Sequence, residues 1–145
     1  MDGRYCRSRI RLHTIILTKS QKEILVNHSD SEKPNESCAI LFGKETNQIF
    51  KVEKIFLTEN IEESPVNFTI SPEQILEADK IERESSMKII GIFHSHPDSV
   101  AFPSDTDKKF MEINPVIWLI YSGISKEFRG FVLDPQIKEV QVETK

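Results

Sequence analysis

The sequence predicts an α/β fold with a single mixed β-sheet flanked by helices. Short apolar runs rich in β-branched residues recur along the chain and are typical of buried strands. Between them lie segments that begin with serine residues suited to capping a helix. The 145 residues are enough for one domain with a hydrophobic core, and no repeat or linker divides them. We therefore expect one domain over residues 1–145, with residues 1–8 as a flexible tail.

The first half of the chain is predicted to supply three strands and a helix. A first strand is expected over residues 9–17. A helix should follow, with Ser20 as its N-cap, Glu23 at the capping-box position and an end near His28. A polar loop is expected over residues 29–34. Two further strands are predicted at residues 38–42 and 49–57.

The second half is predicted to add two helices and four strands. Ser71 and Pro72 form a typical helix start, and the helix should carry its apolar residues on one face: Ile75, Leu76, Ala78 and Ile81. The apolar run at residues 89–93 is predicted to be a buried strand. A helix beginning near Ser104 should follow. The remaining strands are expected at residues 116–121, 128–133 and 139–143.

The segment GIFHSHPDSVAFPSDTD, residues 91–107, contains a candidate metal site. Side chains two apart on a strand point to the same face, so His94 and His96 should face one side if the strand continues through them. Pro97 should end the strand, because proline cannot donate to a sheet ladder. Ser104 and Asp107 form S-x-x-D at a predicted helix start, where a carboxylate is favoured. Two histidines and one aspartate are plausible zinc ligands that leave a position for water.

Each of these features also has an ordinary structural interpretation. A single histidine is more often a surface or core residue than a ligand. Ser104 and Asp107 alone could be no more than a helix N-terminus. The convergence of His94, His96 and Asp107 on one point favours the metal site.

A zinc hydrolase also needs a general base, and Glu36 is the candidate. It directly precedes the small, apolar, strand-like run SCAILFG. A carboxylate at the mouth of a buried strand is partly desolvated, which brings its pKa toward values useful for proton transfer. From the residues alone, an ordinary loop acid is an equally good interpretation.

These motifs together resemble the JAMM (MPN+) family of zinc metalloproteases. The family signature is a glutamate, then H-x-H-P, then S-x-x-D, and it falls here on Glu36, His94, His96, Ser104 and Asp107. The resemblance extends over residues 11–142 and implies the family's fold, an α/β sandwich similar to that of cytidine deaminases. The long insertion that the family's larger eukaryotic members carry after the aspartate-bearing helix is missing. The chain is therefore similar to the compact archaeal and bacterial members.

The resemblance implies a role for each signature residue. His94, His96 and Asp107 would bind one zinc ion, with water as its fourth ligand. Glu36 would accept the proton of that water and deliver it to the leaving amine. Ser104 would donate a hydrogen bond to the oxyanion and would also cap the helix, two roles that compete for one hydroxyl.

The family cleaves isopeptide bonds between a lysine and the C-terminal glycine of ubiquitin or a ubiquitin-like protein. Some small prokaryotic members act on ubiquitin-like sulfur-carrier proteins. Residues 58–70 correspond to the flap that borders the family's substrate channel, where an extended tail could add as a strand. The alternative is a plain acidic surface loop in which Glu59, Glu62 and Glu63 are solvated.

Two other functions compete with an isopeptidase. A non-catalytic scaffold module of the same fold usually lacks some metal ligands, whereas this chain has all of them. A zinc nucleobase deaminase requires H-x-E with P-C-x-x-C, and no C-x-x-C occurs here.

Composition indicates the setting in which the protein works. The net charge of −4 argues against general nucleic-acid binding, although the N-terminus is locally basic. No apolar stretch is long enough to span a membrane, and we expect a cytoplasmic protein. Cys38 is expected to be a buried small hydrophobe. A disulfide with Cys6 is disfavoured in a reducing compartment.

Overall fold

The computed structural model describes residues 13–145, with seven strands and three helices in that range. The predicted tail at residues 1–8, the start of the predicted first strand and Cys6 lie outside the described residues. The strands are β1 (Thr14–Leu17), β2 (Cys38–Thr46), β3 (Ile49–Thr58), β4 (Lys88–His96), β5 (Ile117–Ser122), β6 (Phe128–Leu133) and β7 (Ile137–Thr144). The helices are α1 (Lys19–Glu32), α2 (Pro72–Glu84) and α3 (Asp105–Ile113).

The strands form one mixed sheet that closes on itself. The order around the ring is β1-β3-β2-β4-β5-β6-β7, and β7 pairs with β1. The pairs β1–β3, β1–β7 and β4–β5 are parallel, and the other four are antiparallel. The predicted mixed sheet flanked by helices is confirmed. Its closure was not predicted, since the strand pattern does not show which strands pair.

The helices cover both faces of the sheet. Leu25 of α1 packs in a cluster with Leu41, Phe93 and Leu119. The alternate residues of the same strands face the other side, where Met111 of α3 and Ala78 of α2 close two further clusters. His94 and His96 share the parity of Ile92, which packs on the α3 side. The core therefore orients the histidines away from α1 and toward α3.

Helix α1 begins two residues earlier than expected. Thr18, not Ser20, is the N-cap: its Oγ1 accepts from the amide of Gln21 at 3.0 Å, and Gln21 Oε1 accepts from the amide of Thr18 at 2.9 Å. The expected capping box of Ser20 and Glu23 is therefore wrong, although both pairs fit the same sequence pattern. The helix also continues through Glu32, into most of the segment predicted to be a loop.

Helix α2 begins as predicted, but its apolar face is narrower. Ser71 is the N-cap and accepts from the amide of Gln74 at 3.2 Å. Ala78 is buried, and Ile81 packs against the same cluster. Ile75 and Leu76 are 46% and 67% exposed. Ile75 nevertheless lines an apolar cleft together with Ala78. The prediction of one shared face is therefore wrong for Leu76, because a step of one residue from Ile75 turns the helix by about 100°.

His94 and His96 lie at the C-terminal end of β4. The turn that follows the neighbouring strand β5 lies close to this end. Gly123 donates its amide to the carbonyl of His96 at 2.9 Å. A Cβ atom at Gly123 would lie 2.4 Å from the carbonyl oxygen of Pro97, so glycine is required for this close approach. Among the described residues, no helix combines the length and apolar character needed to cross a bilayer.

Candidate metal centre and active site

Three buried side chains converge at the end of β4. His94 Nε2 lies 3.0 Å from His96 Nε2 and 3.1 Å from Asp107 Oδ2, and His96 Nε2 lies 3.2 Å from the same oxygen. All three residues are at most 4% exposed. The structure thus brings together the three residues that the sequence selected as metal ligands.

Local structure explains why these side chains meet. β4 runs through His96, so both imidazoles lie on one face of the strand, as the spacing predicted. The chain then loops back through residues 97–104 and enters α3 at its N-cap, Ser104. Asp107 is the third residue of the helix, and its Oδ2 accepts from the amide of Ser104 at 2.9 Å. The predicted capping box is confirmed, and it holds the carboxylate toward the histidines.

The donor set fits a metal ion. His96 Nδ1 lies 2.9 Å from the carbonyl oxygen of Val100, which only accepts, so Nδ1 carries the proton and Nε2 presents a lone pair. Metal–ligand bonds of about 2.0–2.2 Å in tetrahedral geometry place ligand atoms about 3.3–3.6 Å apart. The observed separations of 3.0–3.2 Å are slightly shorter than this range. The cluster could therefore hold a metal ion with little rearrangement.

The titration behaviour of Asp107 and His94 favours the forms that bind metal. Burial works to raise the pKa of Asp107, but its close contacts with His94 and His96 outweigh it and hold the pKa well below its ordinary value. Burial lowers the pKa of His94, which favours the neutral imidazole. An ionised carboxylate and a neutral imidazole are the states in which these side chains coordinate metals. Burial works to lower the pKa of His96, but its contacts with Asp107, Val100 and Glu36 outweigh burial and raise it.

Glu36 lies on the other side of the cluster, two residues before β2. Its side chain is buried, and Oε2 lies 3.9 Å from His96 Nε2. Within the described part of the chain, Oε1 has no hydrogen-bond partner. Burial raises the pKa of Glu36 to about 8, against a smaller opposing effect of His96. A carboxyl with a pKa near neutrality, beside a cluster that could hold a metal, is suited to carry a proton in either direction.

The Ser104 hydroxyl acts only as a hydrogen-bond acceptor in the helix cap. Its Oγ accepts from the amide of Asp107 at 3.1 Å, so the cap occupies a lone pair. A serine hydroxyl has one donor and two acceptor positions. The O–H is therefore not used by this capping bond.

Sequence reasoning missed the serine pair that joins the two halves of the site. The buried Ser95 Oγ accepts from the amide of Ser37 at 2.9 Å and lies 2.9 Å from Ser37 Oγ. The amide of Ser95 also donates to the carbonyl of Ser37. These bonds tie the residue after Glu36 to the residue between the two histidines. The only sequence signal was a small polar residue at the central position of H-S-H.

Aromatic packing around His94 was also missed. Phe68 stacks on its ring with centroids 4.7 Å apart, and Trp118 meets it edge-on at 5.7 Å. Phe68 and Trp118 also line an apolar cleft of about 280 Å³ with Ile70 and Phe110. The rings shield one side of the His-His-Asp cluster and fix the orientation of the His94 imidazole.

Residues 58–70, which we call the flap segment, connect the end of β3 to the start of α2. The amide of Ile61 donates to the carbonyl of Thr69 at 3.0 Å, so the two ends of the segment lie together. Glu59, Glu62 and Glu63 are exposed, in agreement with solvated acids. Phe68 places the segment directly against the site.

The closed mixed sheet and the His-His-Asp cluster at its rim define a class of α/β domain whose site could bind a metal ion. Within that class, the chain belongs to the JAB family: the family described as prokaryotic homologs of the JAB domain matches residues 18–133. This confirms the resemblance to JAMM (MPN+) proteins.

Relatives with named activities indicate a hydrolase. The chain is 37% identical over 108 residues to desampylase of Pyrococcus furiosus, which is 74% of each protein. It is 24% identical over 98 residues to the CysO-cysteine peptidase of Mycobacterium tuberculosis, covering 68% of this chain and 66% of the relative.

Solved structures show the same fold. A protein of Desulfitobacterium hafniense is 31% identical and superposes with a TM-score of 0.81, covering 90% of this chain and 92% of that one. A JAB1/MPN domain protein of Archaeoglobus fulgidus has a TM-score of 0.56 at 17% identity, over 90% of this chain and 98% of its own. At that identity, the second likeness shows the fold alone.

Proposed function

We propose that the protein is a zinc-dependent isopeptidase that hydrolyses the bond between the C-terminal glycine of a ubiquitin-like protein and the amine to which it is joined. The observation that carries this proposal is the convergence of His94, His96 and Asp107 beside the partly unpaired carboxyl of Glu36. The names of the two relatives, desampylase and CysO-cysteine peptidase, support a substrate of this class.

His94, His96 and Asp107 are the proposed zinc ligands. Bound zinc supplies a positive charge that activates a water molecule and polarises the scissile carbonyl. The hydrogen bond from His96 to Val100 and the capping bond from Ser104 to Asp107 keep the ligand atoms aimed at one point. Such supporting contacts reduce the reorganisation required when the metal binds.

Glu36 is the proposed general base and acid. Its carboxyl is near enough to His96 to reach a water molecule at the metal centre. It would take a proton from that water as the water attacks the carbonyl, and it would then give the proton to the leaving amine. Burial raises the proton affinity of its carboxyl above that of an ordinary glutamate, which helps it to hold the proton between the two transfers.

Ser104 is the proposed donor to the oxyanion. It is exposed at the rim of the site, and its O–H is not used by the helix cap. The cap fixes its position through the first turn of α3. A hydroxyl held in this way can donate to the carbonyl oxygen as negative charge develops there.

The flap segment is the proposed border of the substrate channel. The seven described strands form a closed ring, so the sheet itself leaves them no unpaired edge for an extended tail. An extended tail of a ubiquitin-like protein would instead lie between the flap segment and the loop that leads to Ser104.

The test is hydrolysis of defined conjugates by the zinc-loaded protein and by a Glu36→Gln variant. The panel contains ubiquitin-like proteins joined to a lysine side chain and the same proteins joined through the α-amine of a single amino acid. We expect the parent to cleave at least one conjugate. The variant should keep its zinc and lose about 10²- to 10⁴-fold in kcat, the contribution typical of general acid–base catalysis.

Zinc content, measured by elemental analysis, separates the possible failures. Equal cleavage by parent and variant would show that Glu36 is not the base. No cleavage of any conjugate, with one zinc bound to both proteins, would contradict an isopeptidase and favour a scaffold module.

A further inference from the structure

Two hydrogen bonds join the backbone of Glu36 to the flap segment, one at its amide and one at its carbonyl. The amide of Glu36 donates to the carbonyl of Ser64 at 2.8 Å. Its own carbonyl accepts from Asn60 Nδ2 at 3.0 Å. Glu36 lies outside every strand and helix, so these two bonds replace the sheet ladder that would otherwise fix its backbone.

Asn60 makes one of these bonds. It is 5% exposed, and every hydrogen-bonding position of its side-chain amide has a partner. Besides Glu36, Nδ2 donates to the carbonyl of Asn67 at 2.9 Å, with a longer contact of 3.4 Å to Ser64. Oδ1 accepts from the amides of Glu62 at 3.0 Å and Thr69 at 3.1 Å. An asparagine has two donors and two acceptor positions. All four of them join the flap segment to itself and to Glu36.

No other amino acid reproduces this set of bonds at the same length. Aspartate would keep the two acceptor positions and lose both donors, placing a carboxylate against two carbonyl oxygens. Leucine would match the size and remove the partners of the carbonyls and amides that surround this buried side chain. The burial of Asn60 and the complete pairing of its side chain together indicate that asparagine is required at this position.

We propose that Asn60 is a positioning residue: it fixes the backbone of Glu36 to the flap segment, so that the flap segment and the proton-carrying carboxyl move as one unit. This inference rests on the proposed function for its catalytic consequence. Its structural part, that Asn60 sets the order of Glu36, stands independently of any activity.

The coupling has a direct consequence for substrate binding. A tail that pushes or orders the flap segment transmits that displacement to Glu36 through Asn60 and Ser64. A correctly bound tail thereby sets the distance between the Glu36 carboxyl and the scissile bond. Displacements of about 1 Å at a reacting group cost about 100-fold in rate, so a bond of this kind can distinguish productive from unproductive binding.

The first measurement is amide hydrogen exchange at Glu36, followed residue by residue by NMR. Asn60→Ala removes the whole set of bonds, and Asn60→Asp keeps those to Glu62 and Thr69. We expect both variants to lower the protection of the Glu36 amide by about tenfold or more, with protection within β2 and β4 unchanged. The measurement needs no substrate, and Asn60→Asp still tests the proposal if Asn60→Ala does not fold.

A matched control is Asn114→Ala. Asn114 Nδ2 donates to the carbonyl of Phe110 at the C-terminus of α3, so this change also removes an asparagine hydrogen bond, but at a helix end. We expect protection at Glu36 to be the same in this variant as in the parent. A Glu36 amide that keeps its protection in both Asn60 variants would overturn the proposal, whatever the protein hydrolyses.

The second measurement is the division of the effect between kcat and KM for the conjugate that the parent cleaves best. A misplaced proton carrier lowers kcat, whereas a merely loosened binding loop raises KM. We expect Asn60→Asp to lower kcat by about 100-fold and to change KM little. In the Glu36→Gln background, the same substitution should have no further effect on the residual rate.

These outcomes separate the inference from the proposed function. A loss confined to KM, or a full additional loss in the Glu36→Gln background, would contradict a positioning role while leaving the isopeptidase intact. A parent without activity would contradict the proposed function, and the exchange experiment would still decide whether Asn60 orders Glu36.

Discussion

Asp107 and Glu36 are the two buried carboxylates of the site. They differ in secondary structure, in hydrogen-bond partners and in the direction of their pKa shifts. They are 4% and 3% exposed. Asp107 lies in the first turn of α3, accepts a hydrogen bond from the Ser104 amide and lies close to both histidines, and these contacts lower its pKa. Glu36 lies on a loop, has one oxygen without a partner in the described part of the chain, and has its pKa raised to about 8 by burial.

The comparison indicates how one kind of side chain could take the two roles that we propose. A carboxylate surrounded by polar contacts stays ionised and is suited to bind a metal, whereas one desolvated without donors holds its proton to higher pH. The rigid helix suits a ligand whose position must not change. The loop tied to the flap segment suits a group that must move with the substrate.

The largest effect is expected from Asp107→Asn, because it removes the ligand charge. This variant should lose tightly bound zinc and all measurable hydrolysis, since a neutral amide is a poor zinc ligand. Glu36→Gln should lose hydrolysis and keep zinc. Titration with zinc in competition with a chromophoric chelator measures this difference. Equal zinc affinities in the two variants would remove the distinction between ligand and proton carrier.

Ser104→Ala tests whether the Asp107 side of the site also contributes to catalysis. It should lower kcat by about 10²- to 10³-fold, the usual effect of losing an oxyanion donor. It should also destabilise the fold by about 1 kcal/mol through the lost cap. Steady-state kinetics and urea unfolding measure the two effects.

Ser71→Ala is the matched control, because Ser71 caps α2 in the same way and lies outside the proposed catalytic residues. It should cost similar stability and leave kcat at the parent value. A similar loss of kcat in both cap variants would show that Ser104 acts through stability alone.

A smaller effect, on stability alone, is expected for Glu36→Gln in the metal-free protein. In the unfolded chain Glu36 ionises above about pH 4.5, whereas in the folded protein its pKa is about 8. Stability should therefore fall as pH rises from about 4.5 to 8, and the variant should avoid this loss. We expect it to be more stable than the parent by up to about 5 kcal/mol at pH 8.5 and unchanged at pH 4.

Urea unfolding in the presence of a chelator, at several pH values, measures this difference. Asp107→Asn should show the opposite trend, because its pKa is lowered and its contribution to stability is present at neutral pH and lost in acid. If both variants showed the same pH dependence, the two carboxylates would not differ as described.

Local patterns explain why much of the site could be predicted. The two-residue repeat of a strand placed His94 and His96 on one face, and the capping pattern placed Asp107 in the first turn of α3. The same local reasoning misplaced the start of α1, since T-K-S-Q and S-Q-K-E are overlapping patterns of one type. Thr18 is used because β1 ends at Leu17, directly before it.

The remaining features depend on contacts between distant parts of the chain. Glu36 meets His96 across 60 positions, and Asn60 meets Glu36 across 24. No local periodicity encodes these pairs. The assignment of Glu36 came from a family resemblance, and Asn60 was not singled out at all. The role of each site residue, and the boundary of the domain at residues 1–145, stay predictions.

The parallel pair of β1 and β7 has a consequence for how the protein is made. It joins residues 127 positions apart, from Thr14 to Gln141. Contacts of such long sequence separation form slowly, since a long loop must close first. On the ribosome, β7 emerges after the other six described strands. The ring can therefore close only when synthesis of this region is complete, and until then β1 presents an unpaired edge that other chains can bind.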